Sequence, residues 1–231
     1  MGYTQNLCYN FFYLFHYIKV KIMKIKELFK LPAVYNKGIF NAVSIEKQHQ
    51  ILLNNYINIK KYIELLEIKK EDNYTEIVLL IPSEVFLDKL KYMVIFRLYP
   101  DSKGNITPNS MVKVFCNEPT FMFRDAFVYN EQGLLINDYK KYLSEKALKQ
   151  SPKTTNPNKR ILVVKSIIYA LLYLRDIKFF EKKEIKSYKQ NTYRILHTED
   201  ILKLYNQYKK KYKKIYSDYK KGINKTFTFH Y

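Results

Sequence analysis

The most regular run of apolar positions lies near the end of the chain, where Ile201, Tyr205, Tyr208, Tyr212, Ile215 and Tyr219 recur at steps of four, three, four, three and four. Such a seam belongs on one side of a helix, and Thr198-Glu199-Asp200 ahead of it offers a capping hydroxyl and two acids for the positive dipole end. A second helical spacing covers residues 44–69, with Ile45, Ile51 or Leu52, Tyr56, Ile59, Ile63 and Leu66 on one side and Ser44 as the cap. It predicts a long amphipathic N-terminal helix. Between these helices, β-branched and aromatic runs at 74–81, 92–99 and 111–116 predict strands, and Pro100-Asp101-Ser102-Lys103-Gly104-Asn105 predicts a turn. Three such strands make a small antiparallel meander, with 121–129 as a fourth strand or a short helix. The apolar stretch 161–174, with Lys165 as its one charge, predicts a helix buried on most sides. The expected fold class is therefore α+β.

Charge divides the chain differently. The formal net charge is +20, yet residues 51–150 hold 14 basic and 13 acidic side chains while residues 151–231 hold 20 and 6. A near-neutral body followed by a basic third suggests a region that faces a polyanion. AT-rich codons are a competing source of lysine, since lysine outnumbers arginine 36 to 5 in a chain with 23 tyrosines, 5 glycines and no tryptophan. Codon bias does not account for the even balance of 51–150. The expected organisation is an α+β core over 23–177 and a basic, Lys/Tyr-rich helical region over 178–231, with residues 150–160 as a loop or linker. Residues 1–22 fit neither a signal peptide nor a membrane anchor, because cations follow the apolar run 7–20 and Asn10 and His16 interrupt it. They are expected to be an extension ahead of a start at Met23, and no membrane partner is expected.

Around 112–127 the chain reads Val-Lys-Val-Phe-Cys-Asn-Glu-Pro-Thr-Phe-Met-Phe-Arg-Asp-Ala-Phe, and further on Asn156-Pro157 precedes Val164-Lys165-Ser166-Ile167-Ile168-Tyr169-Ala170-Leu171-Leu172. Over 112–174 this resembles a degenerate SWIM-type zinc finger of the kind found in bacteriophage proteins. In that family a Cys-x-Cys pair closes a strand ahead of Pro-x-Phe, and a Cys-x-His pair opens an apolar helix. Cys116 matches the first ligand, whereas Glu118, Val164 and Ser166 stand at the other three. Valine cannot ligate zinc, so the resemblance implies a module that has exchanged metal for packing, with Val164 in the core and Pro119, Phe121, Phe123 and Ile168 stapling it. It also implies binding to nucleic acid or protein, and no chemistry.

The remaining chemistry is sparse. His16, His49, His197 and His230 are scattered, the two cysteines lie far apart, and no glycine-rich phosphate loop or Gly-x-Ser-x-Gly elbow occurs. The one catalytic arrangement worth weighing is a metal-dependent nuclease on Glu118 and Asp125, with Arg124 and Lys113 nearby. On an unbroken strand Glu118 and Asp125 would face opposite sides. The expectation is a non-enzymatic, cofactor-free, phage-type accessory or virion-associated protein of the host cytoplasm or virion. It would bind nucleic acid through Lys203, Lys209, Lys210, Lys211, Lys213, Lys214, Lys220 and Lys221, with Tyr205, Tyr208 and Tyr212 stacking on bases. The alternative is a head or tail assembly component that meets a protein partner through the tyrosine stripe. A self-associating coiled coil is disfavoured by the lysines that would crowd its flanks.

Overall fold

A computed structural model describes residues 23–33 and 44–220 apart from 88, 183 and 191, and for 214–220 the backbone alone. The expected N-terminal extension, residues 1–22, lies outside the described residues.

The α+β class is observed. A five-stranded antiparallel sheet, in the order β4-β3-β2-β1-β5, forms the centre. Its strands are β1 (Glu64–Lys70), β2 (Thr75–Pro82), β3 (Lys91–Tyr99), β4 (Met111–Cys116) and β5 (Tyr188–Lys189). The helices are α1 (Ile25–Leu28), α2 (Ile45–Ile59), α3 (Ala126–Glu131), α4 (Glu145–Lys149), α5 (Lys165–Asp176) and α6 (Thr198–Lys220). The meander of β2, β3 and β4 follows the sequence pattern to within a residue or two. Its β3–β4 turn works as the side chains imply: Asp101 Oδ1 accepts from the amides of Lys103 and Asn105, both at 2.9 Å, and Gly104 takes φ +78°.

The long N-terminal helix is shorter than its spacing suggests. Ser44 caps α2 as expected, its hydroxyl accepting from the Lys47 amide at 3.3 Å, but the helix ends at Ile59 and residues 64–70 are β1. Ile63 and Leu66 fit a helical step, yet Leu66 and Ile68 fit the two-residue step of a strand equally well, and both of these are buried. The decision is tertiary. Residues 71–74 form a tight turn in which the Glu71 amide meets the Tyr74 carbonyl at 2.9 Å, and β1 returns along β2 from Lys70↔Thr75 to Glu64↔Leu80.

Both faces of the sheet are covered. Ile77 and Leu79 share a face with Val94 and Phe96, all fully buried, and this face receives α5, which α2 backs. Eight of the residues in α5 are buried, including the continuous run Ser166 to Leu172, as its apolar sequence implies. The opposite face carries Glu76, Val78, Ile95, Arg97 and Phe115. It lies under Tyr139, which packs on Phe115 at 5.4 Å between ring centroids, and under Tyr193, whose hydroxyl donates to Glu67.

Tyrosine hydroxyls tie these layers together by donating to carboxylates far away in sequence. Tyr56 of α2 donates to Asp176 of α5 at 2.9 Å, Tyr139 to Glu76, Tyr169 to Glu84 and Tyr193 to Glu67. Burial, and then the adjoining carboxylate, pushes the hydroxyls of Tyr56, Tyr139 and Tyr193 well above the ordinary tyrosine range. Burial alone is the main cause for Tyr92 and Tyr129, which move the same way.

Two outcomes follow from this architecture. Replacing Leu79, fully buried in the central strand, with Ala should cost about 2–5 kcal/mol in urea unfolding, whereas Ile57→Ala, at 58% exposure on α2, should stay within about 0.5 kcal/mol. The unfolded chain gives up tyrosine protons near pH 10, while the folded chain keeps them on the raised groups. The stability they contribute is therefore complete below about pH 10 and is lost as pH rises toward the folded values. The urea midpoint should fall steeply above about pH 10, with the phenolate absorbance of these raised tyrosines growing only as the chain unfolds.

Candidate functional site

The tyrosine seam of α6 is taken up by the loop between β2 and β3. Phe86 stands in that loop, and the rings of Tyr205, Tyr208 and Tyr212 lie 5.5, 5.6 and 5.2 Å from its centroid. Ile201, fully buried with Phe86, Leu90 and Tyr92, anchors the first turn. Ring pairs of this kind contribute about 0.5–1.5 kcal/mol each beyond their buried area, so three around one phenylalanine fix the rotation of the helix. Tyr205 and Tyr208 are half-buried by this packing, and Tyr212 retains 39% of its surface.

With the seam inward, Lys203, Lys209, Lys210, Lys211 and Lys213 are exposed. Lys203 is tied to Asp200 at 3.2 Å in the first turn. No acid is interspersed among the four lysines from Lys209 to Lys213. The side chains of Lys214 and Lys220, and the whole of Lys221, lie outside the described residues. Thr198 opens the helix but does not cap it with its hydroxyl, as its position suggests. That hydroxyl donates to the Tyr142 carbonyl at 3.3 Å, and the His197 carbonyl receives the first helical amides, those of Asp200 and Ile201.

The stretch ahead of α6, expected to be helical, is irregular among its described residues apart from one 3₁₀ turn, Phe179–Glu181, and the two-residue β5. Phe179 is fully buried in the main core, and Lys178 reaches it through a left-handed backbone at φ +53°. Thereafter β5 pairs with β1 at Glu67↔Lys189 and Ile68↔Tyr188, and the Gln190 amide adds a bond to the Leu66 carbonyl at 2.7 Å. Asn117, at the end of β4, donates to the Leu196 carbonyl at 3.3 Å. The basic region is thus stitched to the sheet along its first half.

Residues 116–121 and 164–168 meet in the interior. The Glu118 carboxylate accepts from the Ser166 hydroxyl at 2.6 Å across 48 positions of sequence, and the Glu118 amide points at the Cys116 sulfur at 3.4 Å. Val164 is buried at the head of α5, and Phe121 and Ile168 are buried beside it. Phe123 differs from the expectation, being 52% exposed. Residues 121–129 are helical, the second of the two expected forms, with a π turn over Phe121–Asp125 that runs into α3. The carbonyls of Phe123 and Arg124 accept from Thr155 at 2.9 Å and Asn156 at 3.4 Å, both in the 150–160 loop.

Because 118–125 is not an unbroken strand, Glu118 and Asp125 do not diverge. Both are enclosed, and Arg124 grips Asp125 through Nε and Nη2 at 2.6 Å each while Nη1 is buried without a hydrogen-bond partner. Burial holds the Asp125 carboxyl above the usual range, with the Arg124 charge opposing it, and burial also pushes the Cys116 thiol up. Among the described residues no group of three or more His, Cys, Asp or Glu is placed to hold a metal ion. Nor, among them, is any helix long and apolar enough to cross a membrane. His49 is a hydrogen-bond partner of the Leu31 carbonyl at 3.2 Å, and His197 lies on the surface against Tyr142.

Comparison with protein-family models, with curated proteins and with solved structures finds no match for this chain.

The Arg124–Asp125 pair is a structural element with a measurable signature. Asp125→Asn leaves a buried guanidinium without its anion and should cost about 3–5 kcal/mol in urea unfolding. Pairing it with Arg124→Met, which removes both charges, should recover most of that loss.

Proposed function

We propose that this protein is a non-enzymatic, phage-type accessory or virion-associated protein of the host cytoplasm or virion, which binds nucleic acid along the outward face of α6. The observation that carries the reading is the docking of the tyrosine seam on Phe86, which leaves Lys209, Lys210, Lys211 and Lys213 exposed at fixed places on a helix. Lysines so held neutralise phosphates and release condensed counterions, a contribution that carries no sequence preference. Tyr205 and Tyr208 then serve to seat the helix, and Tyr212, with more of its ring free, is the tyrosine open to a base.

A second reading, an assembly component acting through protein contacts, is favoured by one feature. The exposed Phe123 stands at a pocket of about 230 Å³ whose other walls include Met122, Phe127, Ala147 and Pro152.

Salt dependence separates the two. The full-length variant with Lys209, Lys210, Lys211 and Lys213 all changed to Gln should keep its urea midpoint. Its log K for an oligonucleotide should depend on log salt with a slope lower than that of the unaltered protein by about three. Unaltered affinity and slope in that variant would remove α6 from the binding surface.

A further inference from the structure

The segment that leads into α6 builds an open pocket of about 490 Å³ on the outer side of the sheet. Lys189, Thr192, Arg194 and His197 line it, with Tyr142 and Tyr193 as aromatic walls, and no carboxylate stands among the lining residues. The Glu67 carboxylate is engaged by the Tyr193 hydroxyl and lies 3.7 Å from the Lys189 ammonium. Arg194 is exposed, and no carboxylate among the described residues is within ion-pair distance of it. A planar guanidinium, an ammonium, an imidazole and a hydroxyl lining one concavity form the donor set that phosphate oxygens take up.

The pocket is also held in place, as a binding site needs to be. It is pinned by β5 on β1, by the Gln190 amide on Leu66, by Tyr193 on Glu67 and by Asn117 on Leu196. Its C-terminal rim, His197, is the residue before α6 begins. The exposed lysines 209–213 lie about 18–24 Å farther along, at 1.5 Å per helical residue.

We propose that this pocket receives a phosphate group of a polynucleotide backbone, with Arg194 as its principal ligand and His197, Lys189 and Thr192 beside it. The strand then continues toward the lysine face of α6. This inference rests on the nucleic-acid reading above and adds a second, built contact point to it.

Arg194→Ala in the full chain tests it, because an exposed side chain can be removed with the urea midpoint unchanged. Two probes are needed: a labelled single-stranded oligonucleotide, followed by anisotropy over a range of salt, and inorganic pyrophosphate, followed by titration calorimetry. The expected result is oligonucleotide binding weakened about five- to tenfold with the salt slope lowered by about one, and pyrophosphate binding lost. Arg194→Lys should restore the slope but not the full affinity, since a point charge replaces a bidentate fork. If Arg194→Ala binds the oligonucleotide as the unaltered protein does while the four-lysine variant fails, the pocket assignment is wrong and the α6 reading stands. If the unaltered protein binds pyrophosphate through Arg194 but no oligonucleotide, the site is one for free phosphates, and both the strand assignment and the nucleic-acid reading are overturned. If it binds neither probe, both are likewise overturned.

Discussion

Phenols that donate to carboxylates tie together elements of this fold that lie far apart in sequence. Tyrosine is the large side chain this sequence has in abundance, and each buried ring brings a hydroxyl that must find an acceptor or be charged a desolvation cost of about 1–3 kcal/mol. Asp176, Glu76, Glu84 and Glu67 supply those acceptors, and each is reached from an element distant in sequence. The carboxylates are in turn shared with cations: Glu76 with Arg97, Glu84 with Lys165, Glu67 with Lys189. Three of these acids, Glu67, Glu76 and Glu84, lie in the near-neutral stretch 51–150, and the fourth, Asp176, in the basic third.

Much of the sheet was legible because its strands carry their own signals. Residues 75–82, 91–99 and 111–116 combine β-branched and aromatic side chains with turn formers at their ends, so local preference and tertiary structure agree. At 64–70 they disagree: Glu64-Leu65-Leu66-Glu67-Ile68 has no strong strand former but Ile68, and the hairpin partner decides. Two residues, Tyr188 and Lys189, are too short a run to announce a strand, and a π turn has no spacing rule that distinguishes it from a strand of mixed polarity. In the candidate site the seam of α6 could be read, but its receptor could not. Phe86 sits in a loop more than a hundred positions earlier, with nothing in its neighbours to mark it. Lys189, Thr192, Arg194 and His197 were hidden for the opposite reason, since they lie in an irregular stretch where charge was visible as a total and not as a place.

The interior around Glu118 shows how polar groups can persist in a core without exposure to solvent. Ser166, Cys116 and the Arg124–Asp125 pair surround it, and the 150–160 loop supplies Thr155 and Asn156 to the carbonyls of Phe123 and Arg124. That loop, polar enough to look like a linker, is an internal brace. Asn156 is 3% exposed and also bonds both the amide and the carbonyl of Arg160, so the chain folds back on itself there instead of separating two units.

The placement of β5 has one more consequence. At one border of the sheet the two-residue β5 and Gln190 occupy β1 between Leu66 and Ile68, and β1 ends in Lys69 and Lys70. At the other border β4 is occupied by Lys24 opposite Met111, by Met23 on the Val112 amide and by Leu135 beside Val114. An open strand of either kind would template pairing with a neighbouring chain and invite fibrillar association. Here one border is covered along β4 and the other ends in a two-residue strand beside lysines, features that discourage edge-to-edge pairing.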